Sequence, residues 1–171
     1  MANVFVALGA NLNEPRQQLV DALRCLSQTA EFELLSYSSL YTCPPMGPQD
    51  QPDYINAVCQ LNSSLNAFDT LQRLHLIENQ FGRQRLRHWG ERTLDLDLLL
   101  YDDLQSDNPQ LKLPHPGIYE RDFVLIPLQE IAAPLRLPNG NTVAEQVGRA
   151  ANTKLQVVLS AQELHQQLVK E

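Results

Sequence analysis

The sequence predicts an α+β fold, a ferredoxin-like α/β sandwich in which helices pack on a largely antiparallel sheet. Two observations support this class. Strand-like segments alternate with two long amphipathic helices, and 43% of the residues are hydrophobic while only 19% are charged. Such a composition is typical of folded globular proteins rather than disordered chains. The chain shows no internal repeat or linker, so we expect residues 1–171 to form one domain.

The N-terminal segment predicts a strand followed by a helix. Residues 3–8 are mostly apolar and predict a short buried strand that ends at Gly9. Asn13 is a candidate cap for the helix, which has Pro15 in its first turn, where a missing N–H does no harm. The helical stripe of leucines that follows runs to about Gln28.

Two more strands and a loop come next. Residues 32–41 predict one strand. Four prolines and a glycine within residues 43–52 predict a stiff irregular loop. Residues 54–63 alternate in polarity, which predicts a strand with one apolar face. That face consists of Ile55, Ala57, Cys59 and Leu61.

A second helix is predicted from Asn66 to Gly82. Asn66 with Asp69 three residues later indicates its start, and Gly82 indicates its end. The residues of its apolar stripe are Phe68, Leu71, Leu74, Ile77 and Phe81. The later elements are a strand at 94–101, a loop at 114–116, a helix at 122–131 interrupted by Pro127, a hairpin turn at 138–140 between short strands, a helix from Val143, a strand at 157–159 and a terminal helix.

The charge is unevenly distributed along the chain. Thirteen Lys and Arg against twenty Asp and Glu give a net charge of −7, which argues against a general nucleic-acid binder. Residues 82–92, however, carry four arginines against one glutamate, a local charge of +3, so the rest of the chain carries −10. Such a segment repels itself unless an anion binds there. A solvated loop paired with surface carboxylates is the alternative interpretation.

Asp95 and Asp97 are the candidate metal ligands. Leucines at 94, 96 and 98, and also Leu100, are expected to face one side of the strand, so the two aspartates share the other, about 6.6 Å apart along the backbone. Carboxylates this close repel unless a cation lies between them, and they suit Mg²⁺. A strand with a solvent-exposed polar face is the alternative. Because the arginine segment adjoins them, we favour a nucleotide phosphate site. The sequence contains no Walker-type or dinucleotide-binding glycine motif, so side chains and metal must hold any ATP.

Several segments together resemble one enzyme family. Residues 88–99 (HWGERTLDLDLL) resemble the signature of 6-hydroxymethyl-7,8-dihydropterin pyrophosphokinase, an enzyme of folate biosynthesis. Further resemblances lie at residues 7–12 (ALGANL), 44–57 (PPMGPQDQPDYINA), 114–115 and 121–123. The resemblance implies an ATP-dependent transferase that moves the β,γ-diphosphate of ATP onto the pterin hydroxymethyl group and releases AMP.

The resemblance also implies roles for individual residues. Asp95 and Asp97 would hold two Mg²⁺ ions, and Arg83 and Arg92 would steady the transferring group. The implied ATP contacts are His75, Glu78, Arg83, Arg85, Trp89, Arg92, Leu98, Lys112, His115 and Arg121. The implied pterin contacts are Cys43, Pro44, Met46, Tyr54, Asn56, Trp89 and Phe123. The residue types fit, since Tyr54 and Phe123 can stack on the flat pterin and Asn56 offers both a donor and an acceptor. Taken singly, each of these three is as well explained as a packing or edge-strand residue.

Some positions depart from the family pattern. Cys43 stands where Thr is common, which removes a hydroxyl from the pterin side. Departures that put ATP contacts in doubt are Gln110 and Lys112 in place of Arg and Thr, Pro116 in place of Tyr and His75 in place of Gln. Ala10 replaces a usual Ser, and Glu91 a common Pro. Asp95, Asp97 and Arg92 match the pattern.

Location, partners and competing functions complete the expectations. The N-terminus has no basic region before its apolar stretch, no apolar run reaches the roughly 20 residues that span a bilayer, and three widely spaced cysteines suit a reducing compartment. We therefore expect a cytoplasmic monomer whose partners are ATP and the pterin, with no nucleic acid and no membrane. A nucleotide-sensing or RNA-binding module and another ATP-dependent transferase with the same metal site stay open as alternatives.

Overall fold

The computed structural model describes residues 1–43, 52–82 and 93–169. The strands are β1 (Ala2–Ala10), β2 (Phe32–Tyr37), β3 (Leu40–Cys43), β4 (Tyr54–Ser63), β5 (Asp95–Tyr101), β6 (Ser106–Asn108), β7 (Leu111–Leu113) and β8 (Gln156–Leu159). The helices are α1 (Pro15–Gln28), α2 (Ala67–Gln80), α3 (Asp122–Ala132), α4 (Val143–Val147) and α5 (Ala161–Leu168). The predicted proline loop, apart from Cys43 and Pro52, and the arginine segment from residue 83 to 92 lie outside the described residues.

One antiparallel sheet organises these elements. Its strand order is β5-β1-β4-β3-β8, and β2 pairs with β4 alongside β3. Strands β6 and β7 form a separate hairpin. The antiparallel sheet with helices packed against it confirms the predicted α+β class. Strand β5 pairs only with β1 in the described part of the chain, so it forms one edge of the sheet.

Helices cover both faces of the sheet. The first, which we call the α1–α2 face, buries Val4, Val6 and Leu8 of β1 against leucines of α1 and α2. The opposite face, which we call the α3 face, buries Phe5 of β1 and Val58 of β4 against α3 and α4. This division follows from the period of two in the strands, because successive side chains point to opposite faces.

The start of α1 differs from the prediction, since Asn13 is not its cap. Asn13 and Glu14 have positive φ angles of 54° and 58°, and no side chain in the described residues caps the helix. A capping side chain needs an extended backbone to reach the first free N–H groups, and the left-handed pair turns Asn13 away from them. Its carbonyl instead accepts a hydrogen bond from Gln18 Nε2 at 3.1 Å. Pro15 does occupy the first helical position.

The cap of α2 is confirmed and its apolar stripe is corrected at one end. Asn66 Oδ1 accepts from the backbone N–H of Asp69 at 2.8 Å. Leu74 and Ile77 are buried, whereas Phe68 is 43% exposed. Phe68 is only the second residue of the helix and extends beyond the core that the following turns cover.

The single strand predicted at residues 32–41 is wrong, because the chain forms β2 and β3 with a break at Ser38 and Ser39. Ser38 Oγ accepts from the N–H of Val58 at 3.0 Å, while its own N–H donates to the carbonyl of Val58 at 2.9 Å. The N–H and the hydroxyl of Ser39 both donate to the Glu130 carboxylate at 2.8 Å. These side-chain bonds replace the regular ladder at this point.

Strand β5 contains an irregularity that changes the predicted alternation. Val6 is opposite Leu98 and Phe5 is opposite Leu100, so Leu99 is an extra residue in β5. This bulge moves Leu100 to the α3 face, where it packs with Leu99, instead of the face shared by Leu96 and Leu98. The alternation that places Asp95 and Asp97 opposite the leucines precedes the bulge and is unaffected.

The C-terminal part follows the prediction with two differences. At residues 138–140 the predicted turn is present, with a φ of +92° at Gly140, but a single bridge between Arg136 and Thr142 replaces the short strands. The β6–β7 hairpin was not predicted, because β6 is polar throughout and the apolar alternation of β7 lasts only three residues. None of the helices within residues 1–43, 52–82 and 93–169 combines the length and apolarity that crossing a bilayer requires.

Candidate active site

A row of polar positions crosses the α3 face of the sheet. In the register, Asn56 of β4 is opposite Gly9 of β1, and Gly9 is opposite Asp95 of β5. We call these three residues the polar row. Adjacent strands are about 4.8 Å apart, so Asn56 and Asp95 lie roughly 10 Å from each other on the same face. The register therefore brings a predicted pterin contact and a predicted metal ligand into one site.

The sequence suggested that the first strand ends at Gly9, and this prediction is wrong. The strand continues to Ala10, and Gly9 is paired on both sides. A Cβ atom at Gly9 would lie 3.1 Å from Asn56 Oδ1, which is tighter than an ordinary contact. Glycine thus keeps the middle of the polar row free of side-chain atoms.

The N-terminus of α3 lies close to the polar row. Asp122 is the first residue of the helix, and its charge contributes to raising the pKa of the Cys43 thiol, although burial is the main cause. Both carboxylate oxygens of Asp122 bind Thr153, with bonds of 2.7 Å to the N–H and 2.8 Å and 2.9 Å to the hydroxyl. The guanidinium of Arg121 lies over the ring of Phe123, 5.8 Å from its centroid. The bonds from Asp122 to Thr153 therefore fix the start of α3, from which the predicted site residues Arg121 and Phe123 project.

Asp95 and Asp97 lie on the α3 side of β5, as predicted. The leucines between and beside them are buried on the opposite face, whereas the Asp97 side chain is 39% exposed. His115 approaches this pair, with Nε2 3.9 Å from Asp97 Oδ2. The N–H of His115 donates to the carbonyl of Leu99 at 3.0 Å, which ties the 114–116 loop to β5.

The protonation of His115 follows from its surroundings. Nδ1 accepts a hydrogen bond from the N–H of Gly117 at 3.1 Å, so in the neutral ring the proton is on Nε2, the nitrogen that faces Asp97. Burial lowers the pKa of His115, the positive charge of Arg121 acts in the same direction, and Asp95 opposes them. His115 is therefore neutral at physiological pH and presents an N–H donor to the site.

Glu78 supports the same strand from α2. It is 2% exposed, and its Oε2 accepts from the N–H of Leu96 at 2.6 Å. Leu96 lies between the two aspartates on β5, and in the described part of the chain no second strand pairs with β5 to accept its N–H. The bond to Glu78 thus fixes the peptide from which Asp95 and Asp97 project. The predicted contact of Glu78 with ATP stays a prediction.

The predicted pterin residues that the structure describes lie near one another. Tyr54 and Asn56 share the α3 side of β4 by alternation, Cys43 is opposite Tyr54 on β3, and Phe123 lies in the first turn of α3. Asn56 Nδ2 donates to Cys43 Sγ at 2.9 Å. This side-chain bond was missed, because the sequence offers no signal that pairs residues 43 and 56 until the register of β3 and β4 is known.

The predicted ATP residues that the structure describes do not all lie together. Lys112 of β7 and His115 line a cleft of about 440 Å³ between the β6–β7 hairpin and the 114–119 segment, with Asp107 and Tyr119 on its walls. His75 lies on α2, half-buried, and Leu98 is buried on the α1–α2 face. The predicted site residues outside the described part of the chain are Pro44, Met46, Arg83, Arg85, Trp89 and Arg92.

The donor set of β5 fits a magnesium ion that is shared with a phosphate ligand. Within the described residues, no three or more His, Cys, Asp or Glu side chains are grouped as a metal site, so the protein offers Asp95 and Asp97 as a pair. Mg²⁺ is usually bound through one or two carboxylates, with phosphate oxygens and waters completing its shell. Two part-exposed carboxylates on one side of an edge strand meet that requirement.

Comparison with known proteins decides the family. A sequence profile of the family described as 7,8-dihydro-6-hydroxymethylpterin-pyrophosphokinase (HPPK) matches residues 5–133, three quarters of the chain. The chain belongs to the HPPK family. The match includes every residue of the polar row, both aspartates and His115.

Curated HPPK relatives match over most of their length. The chain is 47% identical over 155 residues to the 2-amino-4-hydroxy-6-hydroxymethyldihydropteridine pyrophosphokinase of Haemophilus influenzae, which covers 91% of this chain and 97% of the relative. It is 46% identical over 142 residues to the enzyme of the same name from Pseudomonas aeruginosa, with 83% and 88% covered.

Solved structures show the same fold at low sequence identity. The crystal structure of Plasmodium falciparum HPPK-DHPS wild type with pteroate matches with a TM-score of 0.69 and 11% identity. The match covers 86% of this chain and 42% of that one, so the HPPK chain spans about two fifths of the length of this fused relative. This likeness supports the α+β architecture, while the family assignment rests on the sequence matches.

Proposed function

We propose that this chain transfers the β,γ-diphosphate of ATP to the hydroxymethyl oxygen of 6-hydroxymethyl-7,8-dihydropterin and releases AMP, a step of folate biosynthesis. Membership of the HPPK family supports the reaction. The single structural observation that carries the proposal is the polar row, which places Asp95 two strands from Asn56 on one sheet face. A site for a metal-bound phosphate thereby adjoins a site for a polar heterocycle.

Asp95 and Asp97 are the proposed holders of two Mg²⁺ ions. When bound, the ions neutralise charge on the phosphates and on the oxygens that attack and leave. The two aspartates would hold the ions in place, and they project from β5, which Glu78 fixes through its bond to the N–H of Leu96. Because β5 is held by β1 on one side and by Glu78 on the other, the carboxylates need little rearrangement when ATP arrives.

The ATP phosphates are proposed to lie between β5 and the 114–121 segment. Neutral His115 presents Nε2–H to this space, and Arg121 adds a permanent positive charge. Lys112 faces the adjoining cleft and supplies a further cation. The remaining proposed ATP contacts are His75, Glu78, Arg83, Arg85, Trp89, Arg92 and Leu98, among which Arg83 and Arg92 would steady the transferring diphosphate.

The pterin is proposed to bind at the β4 end of the polar row. Tyr54 and Phe123 would stack on its two faces, which contributes about 0.5–1.5 kcal/mol beyond burial for each such ring pair. Asn56 would hydrogen-bond its amino-pyrimidinone edge. The further proposed contacts are Cys43, through its backbone groups, and Pro44, Met46 and Trp89. In this arrangement the hydroxymethyl group points along the row toward Asp95.

Catalysis then depends on position more than on a strong base. Phosphoryl-type transfer requires an in-line approach of the hydroxyl and neutralisation of the phosphate charge. The rigid register of β4, β1 and β5 sets the distance between the two substrates.

We further propose that residues 1–171 act as one domain and as a cytoplasmic monomer. The free thiols of Cys25, Cys43 and Cys59 are consistent with that compartment.

An assay of AMP release tests the proposed function. The protein is incubated with Mg²⁺ and ATP, with and without the hydroxymethyl pterin, and the nucleotide products are separated. We expect AMP to form only when the pterin is present. Release of ADP, or AMP formation that is indifferent to the pterin, would favour a different transferase and overturn the proposal.

A further inference from the structure

The amide of Asn56 is restrained at its nitrogen end. Asn56 is 7% exposed, and its Nδ2 donates to Cys43 Sγ at 2.9 Å. Burial raises the pKa of the Cys43 thiol to about 12, an effect that the bond from Asn56 only partly offsets, so the sulfur is an uncharged thiol at neutral pH. A thiol sulfur is a weak acceptor, yet it is the described partner of this amide group.

The oxygen end of the same amide lies over Gly9. A Cβ atom at Gly9 would come within 3.1 Å of Asn56 Oδ1. The reason for glycine here is space and not backbone conformation. By contrast, Gly82 and Gly140 have φ angles of +65° and +92°, and a Cβ at either would meet nothing within 4 Å. Gly9 lies in a regular strand, so an alanine would fit the backbone, and the tight contact of its Cβ would be with the amide oxygen of Asn56.

The orientation of a primary amide depends on its partners. The oxygen and the NH₂ group of Asn have almost the same shape, but exchanging them swaps an acceptor for a donor. With Nδ2 held by Cys43, Oδ1 and the second hydrogen of Nδ2 have no further hydrogen-bond partner within the described residues. The amide therefore shows an acceptor beside a donor, a pattern that a heterocycle with the complementary pair can match.

We propose that Cys43 and Gly9 are positioning residues for Asn56: the thiol holds the nitrogen end of the amide, and the missing side chain at Gly9 leaves the volume that the oxygen end occupies. Together they set how strongly the pterin binds without contributing to ATP binding. This inference rests on the proposed function, since it takes the pterin as the ligand of Asn56.

Steady-state kinetics of Cys43→Ala, Cys43→Ser, Gly9→Ala and Gly148→Ala, with melting temperatures, test the inference. Loss of the thiol acceptor should raise KM for the pterin by about threefold to tenfold while KM for ATP is unchanged. Cys43→Ser restores an acceptor and should bring KM for the pterin back to within about twofold of wild type. The split between the two KM values and the rescue by serine are not expected of a residue that only supports the fold.

Gly9→Ala should raise KM for the pterin by roughly tenfold, because the new Cβ displaces Asn56 Oδ1. Its melting temperature should stay close to that of wild type, because the smaller backbone entropy that alanine loses on folding offsets this crowding. Gly148→Ala is the matched control, since its Cβ would meet only Glu145 O at an ordinary 3.6 Å and the residue lies outside the site. It should leave both KM values unchanged.

Unchanged KM for the pterin in both Cys43→Ala and Gly9→Ala would overturn the inference. So would an equal rise of both KM values with a lowered melting temperature, because that result describes a purely structural role. If the wild-type protein released no AMP with the pterin, the proposed function itself would fall, which separates the two failures.

Discussion

The two faces of the central sheet use the same strands for different purposes. On the α1–α2 face, Val4, Val6 and Leu8 of β1 continue one apolar surface under two long helices. On the α3 face, β1 carries Phe5 and Ala7 into a second apolar cluster and then reaches Gly9, where the polar row begins. One face is a core along the whole strand, and the other is a core for only part of it.

The proposed site begins where the apolar packing of α3 against the sheet ends. Helix α3 covers Val58 and Leu99, and its first residues then meet the polar row. Beyond that point the sheet presents Asn56, Gly9 and Asp95 instead of large apolar side chains. The continuous core on the α1–α2 face holds the sheet rigid. The sheet can therefore keep the polar groups of the α3 face at fixed distances from one another.

Replacing Asp97 is expected to change activity more than any other substitution, and to affect the polar part of the α3 face without affecting the apolar core. Asp97→Ala should lower the rate of AMP release by about 1,000-fold, which corresponds to about 4 kcal/mol, since it removes a proposed Mg²⁺ ligand. Its melting temperature should stay near that of wild type, because the side chain is part-exposed. Initial rates at saturating ATP measure the change.

Asp103→Ala is the matched control for that variant. Asp103 is exposed and lies in the turn after β5, outside the site. It should retain the wild-type rate. If Asp97→Ala also retained turnover, the metal assignment would be wrong and the polar part of the α3 face would lose its proposed role.

The covered part of the α3 face should respond to Leu125→Ala in the opposite way. Leu125 is a residue of α3 and is fully buried between that helix and the sheet. Its truncation should lower the free energy of unfolding by about 3 kcal/mol, since it removes apolar contacts and leaves a cavity. Urea unfolding measures this, and Leu104→Ala, at an exposed position, should change it by less than about 0.5 kcal/mol. Equal effects of the two variants would contradict the assigned core.

Glu78→Ala sharpens the comparison, since it acts on the strand that carries the aspartates. It leaves the N–H of Leu96 without its acceptor, so we expect a loss of about 2 kcal/mol in the free energy of unfolding and weaker Mg²⁺-dependent activity. Glu78→Gln keeps an acceptor oxygen and should recover most of the stability. An alanine variant as stable as wild type would show that the bond to Leu96 contributes little.

The smallest effect is expected at the border between the two parts. Tyr41 is opposite Asn56 in the register, but its hydroxyl donates to Glu130 of α3 at 2.7 Å. Tyr41→Phe should cost about 1 kcal/mol of stability and leave KM for both substrates unchanged. Thermal unfolding and the AMP assay measure the two quantities. A raised KM for the pterin would extend the site along β3 from Cys43 to Tyr41.

Local patterns predicted the elements that frame the site. The alternation of residues 54–63 and the leucines between Asp95 and Asp97 are properties of single strands, and both are observed. The cap at Asn66 is equally local. Such features need only neighbouring residues, so the sequence contains them in full.

Features that depend on distant partners could not be predicted in this way. The break between β2 and β3 depends on Glu130, which is 91 residues from Ser39. The extra residue at Leu99 and the function of Gly9 appear only once β1, β4 and β5 are paired. Gly9 in particular resembles a strand end when it is considered alone, and only the register shows that its missing side chain makes room for Asn56.

The central claim is that the uncovered part of the α3 face binds both substrates side by side. A crystal structure of the protein with Mg²⁺, a non-hydrolysable ATP analogue and the hydroxymethyl pterin tests it most directly. We predict electron density for the pterin beside Asn56 and above Gly9, and for metal between the phosphates and the carboxylates of Asp95 and Asp97. Pterin or phosphate density on the α1–α2 face, or metal away from both aspartates, would contradict the account.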